Sequence, residues 1–398
     1  MEEHCEAYFA WKQAGIQGAW CWHVDAHLDI GRDGLTPARL AQLKECQTLD
    51  EAHLRGLCGN AYVPWGGLHC GNYLYPAIRE GIVDRLTWVI PPDIVSGNLL
   101  DWARGHLDGW FDLTLEEFDH LHQQHGVVQG TILGIPFQLG TADMLPLPDQ
   151  PVLLDIDIDY FLNGEGHVWQ EPEQLPLPTS LMTTVAYSVK GGYTPTPLRR
   201  LAMPFVQDSA VGYQANALDR AAALVRFQAF QQAEPELIEL LASEPISSAY
   251  LLGTCYHQRA MYSQALEVWS QLLEEPDLPQ DGRAYVCGLC AELLCLLERP
   301  EEALQKALEA QRLCDPQDYR MHWATAAAYE KMEEYRQATQ EIRRGLRLAE
   351  PFVFGLQMRL ILAQLYRKQG KDGLASIELQ KLEKIDTTGQ LRPLTLLR

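Results

Sequence analysis

The sequence predicts two successive architectures. Residues 1–205 read as an α/β three-layer sandwich on a mainly parallel sheet, and residues 206–398 as an all-α solenoid of helical repeats. Three observations carry this expectation. In the first half, short apolar runs of strand length alternate with helical segments and turn residues, the grammar of βαβ units. Near residue 206 strand candidates vanish, and amphipathic helices follow one another from there on. Those helices repeat, with Ala265, Ala303, Ala338 and Ala375 spaced by 38, 35 and 37 residues.

In the first half, strands are expected at Ala19–His23, Leu86–Ile90, Gly130–Leu139, Pro151–Tyr160 and Met182–Ser188. Helices are expected between them at Thr36–Glu45 and Asn72–Glu80. The Pro-rich stretches at 146–151, 171–178 and 194–197 read as loops over the sheet edge. In the second half, Gly253, Ala291, Ala326 and Ala363 each precede a repeat alanine by twelve residues, and Tyr256, Leu294, Tyr329 and Tyr366 precede it by nine. Small residues let paired helices approach, and the larger side chain fills the groove between them. Pro316 and Pro351 follow the second helix of their repeats, where proline ends a helix. The pattern resembles the tetratricopeptide repeat. Four units and a preceding helix pair near 217–242 would stack into a solenoid with one concave face.

Lys and Arg number 32 against 53 Asp and Glu, a net charge of −21. A field of that sign repels phosphate backbones and anionic lipid, which excludes nucleic acid and membrane surfaces as expected partners. A cation or a basic peptide suits it better. No apolar run reaches transmembrane length, and the start, MEEHCEAYFAWK, is acidic where a signal peptide is basic. The expected location is cytoplasmic. Ten cysteines without paired zinc-finger spacing form neither a disulfide framework nor a zinc finger, and the single Cys287-x-x-Cys290 reads as packed, reduced thiols.

Two segments carry chemistry. In Leu153–Phe161, Asp155, Asp157 and Asp159 alternate with apolar residues at strand period, so all three are expected on one face. Adjacent carboxylates in a buried strand repel one another and lose hydration. The sequence offers no Lys or Arg between Arg104 and Lys190 to neutralise them, so metal ions are the simplest partner. Ligands in open α/β sheets gather at the carboxyl ends of strands, which favours Asp157 and Asp159 and leaves Asp155 deeper, hydrogen-bonded locally. The second segment is Cys21–Asp29, a strand followed by Asp25, His27 and Asp29 at alternating spacing. His4 lies on an N-terminal helix or loop. Together His4, Asp25, His27, Asp29, Asp157 and Asp159 offer two imidazoles and four carboxylates, an inventory for a two-metal hydrolase of Mn, Fe, Co or Zn.

Asp25-Ala26-His27-Leu28-Asp29 resembles the DAHxD motif of the arginase–deacetylase superfamily, and Ile156–Phe161 resembles that family's later Asp-x-Asp strand. Residues 1–200 are similar to a compact branch that includes peptide arginases; His4, His23–His27, Gly71-Asn72, Trp88-Val89 and Asp155–Phe161 carry the likeness. The resemblance implies an arginase-like fold and two Mn²⁺ per chain. One ion would be held by His4, Asp25, Asp29 and Asp157, the other by Asp25, His27, Asp157 and Asp159, with Asp25 and Asp157 bridging. It implies hydrolysis of arginine side chains in a precursor peptide to ornithine and urea, with Asp29 also catalytic. Glu3-His4 stands where the family has an Asp-His pair. Gly66-Gly67-Leu68-His69 follows the DAHxD motif, whereas the family's Gly-Gly-Asp-His precedes it, so His69 is not carried over as a ligand. It is either a proton shuttle to the leaving amine or a capping histidine. The strand Thr183–Lys190 has no acid to hold a guanidinium, which leaves the substrate-binding residues unassigned, with Glu165, Glu171 and Asp143 as loose candidates.

Three alternatives stay open beside the peptide enzyme whose repeats hold its substrate: a free-arginine or agmatine-type ureohydrolase, a zinc deacetylase on the same fold, and a repeat-based scaffold with structural metals. The repeats could equally mediate a homodimer.

Overall fold

The computed structural model describes residues 1–385 apart from 33, 108–110, 207–212, 317 and 350–351. Two compact units emerge: residues 1–107 with 120–244, and residues 108–119 with 245–398.

The first unit is built on a seven-stranded sheet. Its strands are β1 (Ala19–Val24), β2 (Val83–Val89), β3 (His122–Gln124), β4 (Val127–Ile132), β5 (Ile135–Gly140), β6 (Val152–Asp157) and β7 (Ser180–Ala186). The spatial order is β3-β4-β5-β2-β1-β6-β7. β5, β2, β1, β6 and β7 run parallel, while β3 and β4 add an antiparallel edge. The apolar central strands β1 and β6 are buried almost throughout, as expected for a sheet covered on both faces. Trp22, Val24, Leu154 and Ile156 join the apolar cluster on one face. By strand alternation His23 and Asp155 turn to the other face. There Trp11 of helix α1 (Glu6–Gln13) packs on Tyr73, just ahead of helix α4 (Leu74–Arg79). Helices α2 (Pro37–Glu45) and α3 (Leu49–Leu54) begin with Thr36 and Thr48, whose side chains accept from the Arg39 and Glu51 amides.

The chain leaves β1 for β2 on one side and later places β6 on the other. Strand order therefore reverses at β1, and the crevice where ligands collect opens at the carboxyl ends of β1 and β6. The register sets His23 opposite Asp155 and Val24 opposite Ile156, so Asp25 and Asp157 emerge side by side.

Three expected elements differ. Gly130–Leu139 is a hairpin, turning at Leu133-Gly134, where both residues have positive φ. The strand expected to Tyr160 ends at Asp157, and Ile158–Phe161 is a 3-10 turn. The pair α7 (Ala217–Arg226) and α8 (Phe230–Leu240), expected to lead the solenoid, belongs to the first unit, so the compact division falls at 244/245 and not at 205/206. The tie is polar: Asp219 accepts from Tyr62 Oη at 2.6 Å and Gly191 N at 3.0 Å, and Arg226 donates to Gly191 O and Ala61 O.

The chain also forms helices α5 (Leu99–Leu107) and α6 (Leu115–His120). The second unit is helical. Its pairs are α9 (Pro245–Gln258) with α10 (Tyr262–Leu272), α11 (Gln280–Leu296) with α12 (Pro300–Leu313), α13 (Arg320–Lys331) with α14 (Tyr335–Ala349), and α15 (Phe354–Lys368) with α16 (Asp372–Ile385). The repeat positions Ala265, Ala303, Ala338 and Ala375 are all buried, as are Gly253, Ala291, Ala326 and Ala363. Pro316 follows α12; Pro351 lies outside the described residues. An extended piece of the segment 111–119 packs in this unit, where Val353 N donates to Leu113 O at 3.0 Å and Thr114 bridges Phe352. Among the described residues no helix is long and apolar enough to cross a membrane.

Candidate metal centre

His4, Asp25, His27, Asp29, Asp157 and Asp159 converge at the carboxyl ends of β1 and β6. His4 Nδ1 lies 3.2 Å from Asp25 Oδ2, 3.3 Å from Asp29 Oδ2 and 3.2 Å from Asp157 Oδ2. His27 Nδ1 lies 3.1 Å from Asp159 Oδ2 and 3.5 Å from Asp25 Oδ1. His4, Asp25 and Asp29 form one donor set and Asp25, His27 and Asp159 another, each close enough to converge on one ion, and His4, His23 and Asp155 form a third beneath them. All are buried except His27, whose side chain is 54% exposed and marks the solvent side.

Local structure explains the convergence. Tyr187 N donates to Met1 O, and the Met1 nitrogen to Val185 O, laying the first residues beside the end of β7. Glu3, which precedes His4 in the sequence, forms an ion pair with Lys190. After β1, Asp25 Oδ1 accepts from His27 N at 2.7 Å, folding a tight turn that brings His27 back over the strand end. Asp29 follows with φ of 54°, the left-handed region that a short polar side chain tolerates. Asp157 Oδ1 accepts from Asp159 N at 3.0 Å, so the 3-10 turn, and not strand alternation, delivers Asp159. Ser188, also left-handed at 48°, donates to Asp157 Oδ2.

With protein groups alone the centre is under electrostatic stress. Burial, then the charges of Asp157 and Asp25, push the Asp159 carboxyl up to about 8; burial and Asp25 push Asp29 to about 6. Burial works the same way on Asp25, but His23, His27 and His4 outweigh it and hold that carboxyl low. Among the described residues only histidines stand within ion-pair distance of these four carboxylates. His4 Nδ1, Asp25 Oδ2 and Asp159 Oδ1 are buried with no hydrogen-bond partner. Orphaned buried polar atoms are costly, roughly 1–3 kcal/mol each and more when charged. Three of them aimed into one nest of carboxylates fit divalent cations, and mixed imidazole and carboxylate donors fit Mn, Fe, Co or Zn.

A second layer lies beneath. Asp155 Oδ2 accepts from His4 Nε2 at 3.1 Å, His23 Nδ1 at 3.0 Å and Tyr73 Oη at 2.5 Å, and Oδ1 accepts from Thr184 Oγ1 at 2.5 Å. His23 Nε2 donates to His27 O at 3.0 Å. Both His23 nitrogens thus face acceptors, and both carry a proton. This layer, unlike the ligands, has no spacing signature beyond the Asp155 and His23 positions themselves; Tyr73 and Thr184 join it only through the fold.

His69 caps the 3-10 turn at Cys70–Asn72: its Nδ1 accepts from Gly71 N at 3.1 Å, and its amide donates to Asn72 Oδ1. Burial pushes its imidazole down to about 4, and its Nε2 is buried with no hydrogen-bond partner. The cap is the contact the structure shows. Of the loose guanidinium candidates, Asp143 accepts from Thr141, Glu171 pairs with exposed Arg200, and Glu165 is exposed near His167. The wall beside the centre is Tyr193, edge-on to His27 with ring centres 5.7 Å apart, backed by the Arg226 guanidinium 3.4 Å from the Tyr193 ring centre and within 3.5 Å of Cys70 Sγ at its hydroxyl. Sequence reasoning missed Ser188 and Tyr193 as site residues; Gly191-Gly192 between them was the available signal of a sharp turn.

No protein-family model matches the chain, and no curated protein matches it. Solved structures similar to part of it are helical. MamA from Desulfovibrio magneticus RS-1 aligns over 44% of this chain and 94% of its own, at 14% identity and a TM-score of 0.39. The nearly identical TPR-like repeats of a Podosopora anserina kinesin light chain align over 44% and 95%, at 15% identity and the same TM-score, 0.39.

Proposed function

We propose that this chain is a dinuclear-metal hydrolase of arginase-like fold that acts on arginine side chains within a peptide and leaves ornithine and urea. The observation that carries the metal centre is the set of orphaned atoms His4 Nδ1, Asp25 Oδ2 and Asp159 Oδ1, buried among four carboxylates and belonging to two donor sets that share Asp25. The arginine substrate rests on the DAHxD and Asp-x-Asp resemblance, and the peptide on the helical unit, which we read as tetratricopeptide-like and suited to holding an extended chain.

His4, Asp25, Asp29 and Asp157 would hold one ion, and Asp25, His27, Asp157 and Asp159 the other. Two Mn²⁺ when bound would supply Lewis acidity and a water acidic enough to attack at neutral pH. In the reaction, water adds to the guanidine carbon and the bond to the side-chain nitrogen breaks. That nitrogen stays with the chain as the ornithine amine, and the carbon leaves as urea. Asp29 would orient the attacking water and take its proton. Ser188 donates to Asp157 Oδ2 and so fixes a carboxylate that both ions would use. Tyr193 and half-exposed His27 form the side from which a side chain enters.

The test is metal content after Mn²⁺ loading and desalting, for the unchanged chain and Asp157→Asn. About two Mn per chain, lost in the variant, and urea released from arginine peptides support the reading. One tightly held Zn per chain would move it to deacylation, and Asp29→Asn separates the two, since a one-metal site depends on Asp29 little. Absence of metal would leave the helical unit as the working part.

A further inference from the structure

We infer that Asp155 is the positioning residue of the centre: through Oδ2 it fixes His4 as the tautomer that presents an unprotonated Nδ1 to one metal position, and through His23 it anchors the loop that carries His27. The inference rests on the dinuclear reading above and concerns a residue outside the two sets that share Asp25; with His4 and His23 it forms a third cluster beneath them.

The argument is a proton inventory. Four donors reach Asp155: His4 Nε2, His23 Nδ1 and Tyr73 Oη on Oδ2, and Thr184 Oγ1 on Oδ1. A carboxylate so surrounded has no use for a proton and only accepts. Tyr73 has one hydrogen and gives it to Asp155, so the single His4 Nε2 hydrogen is shared between Asp155 Oδ2 at 3.1 Å and Tyr73 Oη at 2.9 Å. The His4 proton is therefore pinned on Nε2. Its Nδ1 makes no well-aligned hydrogen bond and faces Asp25, Asp29 and Asp157, so it is the nitrogen left for an ion. A carboxylate behind a ligating imidazole both selects the tautomer and raises its donor strength.

The same oxygen reaches the other loop. His23 spans Asp155 and the His27 carbonyl, and each of its nitrogens meets an acceptor, so the ring is a rigid strut between β6 and the turn after β1. One carboxylate thus sets His4 directly and His27 at one remove. The three groups come from the first residues, β1 and β6, which are far apart in the chain, and Asp155 is where they meet.

The experiment compares full-length chain with Asp155→Asn and Thr184→Val. Mn²⁺ is titrated into stripped protein, and the spin-coupled signal of a manganese pair is followed by electron paramagnetic resonance. The ring nitrogens of His4 are read by ¹⁵N NMR before metal is added. Asp155→Asn sets an amide against donors; it is expected to weaken the His4-side ion by about 10- to 100-fold, abolish the coupled signal and shift His4 away from the Nε2-protonated form. Thr184→Val disturbs Oδ1 alone and is expected to keep both ions and the tautomer. Two ions bound by Asp155→Asn as tightly as by the unchanged chain overturn the inference, as does equal loss in Thr184→Val, which would make the residue a packing element. If Asp155→Asn does not fold, Tyr73→Phe carries the test, with weakening expected on the His4 side alone and unchanged binding overturning it. An unchanged chain that binds no metal fails the dinuclear reading itself, and this inference with it.

Discussion

Asp219 decides whether helix α7 belongs to the first unit in energy as well as in space. Its carboxylate, 2% exposed, accepts from Tyr62 Oη and Gly191 N on Oδ1, and from Tyr213 Oη at 2.5 Å and Asn216 N at 2.9 Å on Oδ2. In Asp219→Asn one oxygen becomes an NH₂ group. A tyrosine hydroxyl can rotate to accept from it, but a backbone N–H cannot, so at least one amide is orphaned and charge assistance is lost on the rest. An orphaned buried amide costs roughly 1–3 kcal/mol, and each weakened charge-assisted bond about 1 kcal/mol more, for a total near 3 kcal/mol. Asp219→Ala removes all four bonds and is expected to cost about 5 kcal/mol or more, comparable with the whole stability of a modest domain, about 5–15 kcal/mol. Gly191 N is one of the four donors, and it lies three residues beyond Ser188, so the loss reaches the Asp157 contact. The assay is urea unfolding of the first unit with Mn²⁺ retention measured alongside. A shift of less than about 1 kcal/mol in Asp219→Ala, with metal content intact, would refute the reasoning. The matching truncation is a chain ending at residue 205, which lacks Asp219 and Arg226 and is expected to hold metal poorly, where one ending at 244 keeps it.

Other consequences follow from packing and charge. Gly253 lies against the indole of Trp269, and a Cβ there would stand 2.1 Å from Nε1; Gly253→Ala is expected to destabilise the second unit by about 2 kcal/mol despite alanine's better helix propensity, read as a lower urea midpoint. Leu113 is buried in the same unit, and Leu113→Ala should cost about 3 kcal/mol there and open the 111–119 segment to protease, whereas an unchanged digestion pattern would show that the segment adds nothing. Burial acts to raise the Glu341 carboxyl, but the His322 hydrogen bond at 2.9 Å and the Arg344 charge outweigh it and hold the group below its ordinary 4.5. A folded value below the unfolded one contributes stability that is present above pH 4.5 and lost as pH falls through the folded value, so acid melting of the second unit should begin in that window and lose this component in Glu341→Gln.

The mainly parallel sheet was legible because β1 and β6 are apolar over strand length and flanked by turns, and their alternation placed Asp25 and Asp157 at strand ends. The hairpin β4–β5 was not, since Leu133-Gly134 interrupts an otherwise continuous apolar run and a single glycine gives no warning that the neighbour also takes positive φ. Asp159 was placed in the cluster for an incomplete reason: strand period points it to the correct face, but an Asp157-capped turn delivers it. Helices α7 and α8 have the same amphipathic pattern as the repeats after them, and periodicity cannot tell which neighbour a helix packs on. The pair is assigned by buried side chains such as Asp219 and Arg226, whose partners lie more than a hundred residues away at Tyr62 and Ala61.

The same limit separates the two layers of the candidate metal centre. Candidate ligands that share a turn or a strand, Asp25 with His27 or Asp157 with Asp159, leave a spacing in the sequence because their geometry is local. The supporting layer leaves none, because Asp155 gathers His4, His23, Tyr73 and Thr184 from four separate segments. Yet the supporting layer is what converts a cluster of donors into a site. Without an acceptor at Nε2 the His4 hydrogen could sit on Nδ1 instead, facing Asp25, Asp29 and Asp157 in the place of a cation. Burying an ionised aspartate beneath the ligands holds that proton on the far side of the ring, and the fold bears its desolvation cost because four hydrogen bonds offset it.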